Sequence, residues 1–240
     1  MDGHYNPELI RNLNELHGLL LSEETLQSTL QRVAELACAT IEGCDSAGVT
    51  IMERSKVSTA AATDDFTLKI DTDQYDNREG PCLQALSTQA VVAAPDIASD
   101  PRWPSFAAAA TRDGLGAVLS LPLSARGEPI GALNLYSKEP NSFDEASEPI
   151  GTLFASQASV AISNAQVYTA AVRLSDQLKE AITTREVIGE AKGLLMAQEG
   201  VTEDEAFEML KNVSQNQNVK LREIAQKLVD EAVKKPEASP

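Results

Sequence analysis

Arg185, Gly189, Lys192 and Met196 recur at steps of four, three and four, a spacing that places them on one stripe of an α-helix. Ile188, Ala191 and Leu195 fall roughly a quarter turn away and are suited to a core. The chemistry of the first stripe is binding. It offers two cations, and Gly189 and Gly193 would let another surface come close. Further on, Ser214, Gln215, Asn216, Gln217 and Asn218 are five consecutive hydrogen-bonding side chains, read as a turn between two helices. Lys220 and Arg222 follow in the first turn of the next helix, where cations oppose the helix dipole and need another reason to be present. Such groups can bond phosphates and unstacked base edges. A plainer reading stays open beside it: helix-surface ion pairs, glycines that ease helix packing, and Asn218 as a helix cap.

Charge favours a local anionic partner. The 240-residue chain carries a formal net charge of −16. Residues 171–235 hold 10 basic and 12 acidic side chains, a balance of 10 − 12 = −2, which leaves about −14 for the rest. From Lys211 to Lys227 there are four cations and only Glu223 opposing them. An acidic bulk repels phosphates, so contact with nucleic acid must be confined to the basic segment.

Catalysis has little to work with. The two histidines, His4 and His17, lie near the N-terminus, and Cys38, Cys44 and Cys82 lack CxxC spacing, which indicates neither a disulfide framework nor a zinc site. There is no phosphate-cradling glycine loop and no Ser/His/Asp set, and the pair Asp64 and Asp65 lacks the companions of a phosphoacceptor. Cys82 near a helix start reads as a small buried hydrophobe, and the single Trp103 as core. The chain is expected not to be an enzyme. Its polar N-terminus and the absence of an apolar run of membrane-spanning length lead us to expect a soluble, cytoplasmic protein without membrane contact.

The elements that must position these residues fall into two groups. Pro7 to Leu21 reads as an amphipathic helix, and Ser22 as the N-cap of a second one running to about Ile41. Ala47–Met52 and Val57–Ala62 read as a hairpin, and Ala117–Leu123 and Ile130–Tyr136 as another. Between them come a loop or short helix from Asp64 to Gly80, a short helix from Cys82, a strand at Ala90–Ala94 and a helix from Pro104 to Arg112. From Asp144 a long helix runs to Glu199, with Val160, Val167, Ala171, Leu174, Leu178 and Ile182 at helical spacing. Such a seam favours a coiled-coil homodimer. Gly200 ends it, Thr202 and Glu205 form a capping box for the next helix, and Leu221 to Ala232 form the last.

With those motifs in place, two resemblances are visible. Arg185 with Ile188, Ala191 to Met196, Ala206 to Leu210, Ser214 with Gln215, and Lys220 to Ala225 closely resemble the ANTAR domain of bacterial antiterminators. EGPCLQAL at Glu79–Leu86, DPRWPSFA at Asp100–Ala107 and GALNLYS at Gly131–Ser137 resemble a GAF domain. The fold class implied is an α+β GAF domain, an antiparallel sheet with flanking helices, followed by a long coiled-coil-type helix leading into a small all-α three-helix bundle. The expected division is 1–22 N-terminal helical segment, 23–170 GAF sensor domain, 171–235 ANTAR RNA-binding domain, 236–240 tail. The resemblance implies a transcription antitermination regulator that binds tandem RNA stem-loops in nascent leader transcripts as a dimer. Arg185, Gly189, Lys192, Gly193, Met196, Ser214, Gln215, Asn218, Lys220 and Arg222 would contact RNA. No cofactor or metal is expected beyond an unidentified small-molecule GAF ligand. The alternative is a small-molecule sensor whose helical module binds protein and not RNA.

Overall fold

The computed structural model describes residues 7–19, 25–53 and 56–234, and divides the chain into two compact units, Met1–Thr169 and Ala170–Pro240. The first unit is built on a five-stranded antiparallel sheet of β1 (Ser46–Glu53), β2 (Lys56–Ala62), β3 (Val92–Ala94), β4 (Ala117–Ala125) and β5 (Glu128–Ser137). Its spatial order is β2-β1-β5-β4-β3. Both expected hairpins are present, and β1 pairs with β5 to join them.

The period of two decides which side chains face which layer. Val49 and Ile51 of β1, Leu119, Leu121 and Leu123 of β4, and Leu133 and Leu135 of β5 point to one face. There they pack against α1 (Pro7–Leu19), α2 (Leu26–Thr40) and the first turns of α6 (Ser147–Glu199), including Leu16, Leu30, Val33, Phe154 and Ile162. Each fully buried side chain of this size contributes about 1.5–3 kcal/mol, so this layer anchors the unit. The opposite face is covered by α3 (Asp65–Asn77), α4 (Pro81–Thr88) and α5 (Pro104–Arg112). Its core holds Ile70, Ile97, Trp103, Phe106, Val118 and Tyr136.

Three local expectations change. The helix before β1 is capped by Thr25, whose hydroxyl accepts from the Ser28 N–H at 3.2 Å; the expected cap Ser22 lies outside the described residues, as do Leu20 and Leu21. The stretch from Asp64 is a full 13-residue helix, capped by the Asp64 carboxylate on the Thr67 N–H. Its buried positions are Thr67, Ile70, Asp71 and Gln74, three of them polar, so no apolar stripe marks it. The strand near Ala90 is shorter, starting at Val92.

Helix α6 starts where Asp144 accepts hydrogen bonds from the Ala146 and Ser147 N–H groups. Phe154, Ala155, Ala158, Ala161, Ile162 and Ala165 bury its inner face. Among its outward positions Leu153, Val160, Val167 and Leu174 fall seven apart, and Leu178 and Ile182 follow, all between 48% and 58% exposed. In the second unit, the end of α6 packs with α7 (Glu203–Gln217) and α8 (Leu221–Lys234).

Candidate nucleic-acid interface

The helical unit forms because its helices bury a small shared core. Ala191 and Leu210 meet Ile224 and Ala225, with Val187, Ile188, Leu195, Val219, Leu221, Leu228 and Val229 around them. Gly200, at φ +68°, stops α6. The Thr202–Glu205 capping box then starts α7, with both of its reciprocal hydrogen bonds made. This core takes one side of α6 and leaves the Arg185 stripe outside. Arg185, Gly189, Gly193 and Met196 are exposed, and Lys192 is half-buried. A Cβ built on Gly189 or Gly193 would meet nothing within 4 Å. Packing inside this chain therefore does not require either glycine.

The polar turn is arranged differently from the expectation. Ser214 to Gln217 form the last turn of α7, and Asn218 is its left-handed C-cap at φ 52° and not the N-cap of the next helix. Asn is among the few side chains that accept that conformation readily. The Ser214 hydroxyl donates to the Val219 carbonyl at 2.6 Å, so it holds the junction, whereas Gln215, Asn218, Lys220 and Arg222 face solvent.

The cations are unequally available. Lys192 is paired with Glu203 in the first turn of α7, and its side chain is only 21% exposed. Arg222 reaches Glu180 on α6, beside a groove of about 300 Å³ lined by Thr183, Thr184, Val187, Arg222, Glu223 and Gln226. Among the described residues Arg185, Lys220 and Lys227 have no ion-pair partner. At 100° per residue, Thr183 and Val187 lie on the far side of α6 from Arg185. The expected contact residues thus do not form one surface: Arg185, Gly189, Lys192, Gly193 and Met196 lie along the outer stripe of α6, Ser214, Gln215, Asn218 and Lys220 at the α7–α8 junction, and Arg222 at the α6–α8 groove.

The sheet unit contains a cluster that sequence reasoning missed. Asp71 is fully buried, and its Oδ1 accepts hydrogen bonds from the Tyr136 hydroxyl and the Asn134 and Gln74 amides. Its Oδ2 accepts from the Thr59 hydroxyl at 2.7 Å. Burial outweighs these donors and pushes the Asp71 carboxyl up to about 6. Thr50 links Tyr75, Asn134 and Cys82, whose thiol burial pushes up to about 12, making it an inert, enclosed group. Two buried atoms here have no partner, Asn134 Oδ1 and Ser120 Oγ, on residues paired across β4 and β5.

The motif residues frame this cluster. Gly80, at φ +141°, lies against the Gln74 side chain, where a Cβ would come within 2.5 Å of Gln74 Oε1, and that oxygen accepts from the Cys82 N–H at 2.8 Å. Glu79 caps α5 by accepting from the Ser105 and Phe106 N–H groups at 2.6 and 2.8 Å. Trp103 packs in the core with Arg102 over its ring. The only sequence signal for Asp71 and Gln74 was their i, i+3 spacing beside Ile70, on a stripe whose polarity hid it.

Comparison with known proteins agrees with this division. Residues 23–163 match the GAF domain and residues 176–229 match the ANTAR domain. The chain belongs to the GAF domain family and carries an ANTAR domain after it; both are regulatory domains, the ANTAR family being RNA-binding antitermination regulators. No curated protein matches the chain. Among solved structures, the GAF domain of an Acinetobacter phosphoenolpyruvate-protein phosphotransferase is similar at 17% identity and TM-score 0.53, over 70% of this chain and 97% of that one. Free methionine-R-sulfoxide reductase from Neisseria meningitidis, solved with its substrate, is similar at 16% identity and TM-score 0.53, over 66% and 90%. A GAF domain from a Coxiella burnetii phosphoenolpyruvate-protein phosphotransferase reaches 0.52 at 16% identity, over 68% and 97%. At these identities the likeness is one of fold. No helix among the described residues is long and apolar enough to cross a membrane.

Proposed function

We propose that this chain is a cytoplasmic, non-enzymatic antitermination regulator that binds tandem RNA stem-loops in nascent leader transcripts as a homodimer. Residues 23–170 serve as the sensor and residues 171–235 as the RNA-binding part. The observation that carries the reading is the outer stripe of α6. Its exposed Leu153, Val160, Val167, Leu174, Leu178 and Ile182 suit a second copy of the same helix, because a heptad seam is buried by a like seam. The stripe runs on into Arg185, Gly189, Lys192 and Met196, so dimerisation would set two such binding surfaces at a fixed spacing. Gly193, Ser214, Gln215, Asn218, Lys220 and Arg222 complete the proposed contact set.

The sensor site in this reading is the Asp71 cluster. Unpartnered buried polar atoms are costly, and a small polar ligand that reached Asn134 Oδ1 and Ser120 Oγ would relieve that cost.

The test is salt-dependent binding of the purified chain to paired stem-loops. Tight binding that weakens with salt and exceeds that of a scrambled stem supports the reading; equal binding to both refutes it. One observation favours a second reading, a helical module that binds protein. Lys192 and Arg222 are already neutralised by Glu203 and Glu180. Capture of partners that survives ribonuclease treatment would favour that alternative.

A further inference from the structure

Cys38 lies in the last turn of α2, and Cys44 follows the turn that leads into β1. The Cys38 thiol donates to the Cys44 carbonyl at 3.6 Å and the Cys44 thiol to the Ser46 carbonyl at 3.2 Å. The Cys38 sulfur thus sits against the backbone of the residue that carries the second thiol. Both are half-buried at the rim of the larger core, unlike the enclosed Cys82. The chain between them is folded tightly, with the Ile41 N–H donating to the Ala37 carbonyl and the Cys44 N–H to the Ile41 carbonyl.

This turn rests on the connection from β5 to α6. Gly43 has φ +81°, and a Cβ there would come within 2.3 Å of the Ser142 carbonyl oxygen. The Asp45 carboxylate accepts from the Lys138 N–H at 2.7 Å and from the Ser137 hydroxyl at 3.2 Å. Two residues past Ser142, Asp144 caps α6. The backbone carrying Cys44 cannot move toward Ser142 without displacing the lead into that helix.

We propose that Cys38 and Cys44 are a reversible disulfide site, oxidised by hydroperoxides, whose closure reshapes the 41–45 turn and through it the start of α6. The Cys38 thiolate attacks one peroxide oxygen. The O–O bond breaks, an alcohol or water leaves, and Cys38 becomes a sulfenic acid. The Cys44 sulfur then attacks Cys38 Sγ, the S–S bond forms, and the hydroxyl departs as water with the Cys44 proton. The two sulfurs together lose two electrons, and the peroxide gains them. A dithiol reductant reverses the bond by exchange. Cys38 attacks first because its thiol is held below its ordinary range by the neighbouring Cys44 side chain, whereas Cys44, whose S–H is held by the Ser46 carbonyl, is pushed up by that neighbour and by burial. Oxidation removes both S–H donors, to the Cys44 and Ser46 carbonyls, and draws the sulfurs together to about 2.0 Å.

The pair can be read directly in the full-length chain, since cleavage after Arg32 and Arg54 leaves both cysteines in one peptide. After hydrogen peroxide, that peptide is expected to lose two hydrogens and to regain them with dithiothreitol, while Cys82 stays unmodified in the folded protein. Cys44→Ser should stop at a sulfenic acid on Cys38 that dimedone traps, and Cys38→Ser should give neither product. Amide hydrogen exchange across residues 137–147 should differ between oxidised and reduced protein. No mass loss in protein that circular dichroism shows to be folded, or no dimedone adduct in Cys44→Ser, would overturn the site. A disulfide that leaves exchange at 137–147 unchanged would overturn its coupling to α6.

Discussion

The Lys192 ammonium is bound to the Glu203 carboxylate, across the turn that joins α6 to α7. The pair fastens the first turn of α7 to the helix that carries the basic stripe, and it holds Glu203 below the usual carboxylate range. Any phosphate approaching Lys192 must compete with that carboxylate. Glu203→Gln removes the competitor, and affinity for paired stem-loops is expected to rise roughly threefold, the scale of one exposed pair. Unchanged affinity in a fluorescence anisotropy titration at fixed salt would mean that Lys192 holds the bundle together and does not touch RNA.

Arg185 has no such competitor. If it meets a phosphate, Arg185→Ala lowers affinity and reduces the slope of log affinity against log salt by roughly 0.7 to 0.9, the counterions released per phosphate contact. Lys220→Ala should behave in the same way. The titration is repeated across a salt series; a parallel line with the same slope as wild type would remove these residues from the interface.

The exposed stripe of α6 makes a separable prediction. Leu174 and Leu178 are each 56% exposed, so a charge at either costs the single chain little, whereas a paired seam would have to bury it. Leu174→Glu with Leu178→Glu should convert a dimer to a monomer by light scattering. Affinity for paired stem-loops should fall on the order of a hundredfold through lost avidity, with single-hairpin binding retained. A variant that stays dimeric would show that the stripe is not the interface.

Legibility differed between the units for a physical reason. The strands were readable because Val49 and Ile51, or Leu133 and Leu135, alternate with residues facing another layer, and Thr202 with Glu205 announced a helix start because a capping box is local chemistry. Helix α3 was not readable. Its buried side is Ile70 with Thr67, Asp71 and Gln74; Asp71 and Gln74 serve a hydrogen-bonded cluster and the Thr67 hydroxyl donates to the Ala47 carbonyl, so the apolar period that marks a helix is missing. Ser214 to Asn218 looked like a turn for a related reason: Ser, Gln and Asn favour turns and caps, yet here only Asn218 leaves the helix. Lys192 illustrates a third limit. Its spacing was visible, but its partner Glu203 is set by how α7 folds back, a tertiary fact.

Asp71 allows the cluster to be tested through pH. Its carboxyl is raised to about 6 in the folded chain, chiefly by burial, against roughly 3.9 when unfolded. The folded state therefore binds this proton more tightly than the unfolded state. Its contribution to stability is fully present below about pH 4 and is lost as pH rises through about 6. Between pH 5 and pH 7.5 that loss amounts to roughly 1 kcal/mol. Asp71→Asn keeps an acceptor for Tyr136 but cannot titrate, so it should be less stable than wild type at pH 5 by a larger margin than at pH 7.5. Urea denaturation of both proteins at the two pH values reads the difference, and the comparison cancels the pH dependence that arises from the rest of the acidic surface. A margin that is constant, or that widens toward pH 7.5, would mean that Asp71 is already ionised in the folded chain. In that case the four donors around it, and not burial, would set its charge.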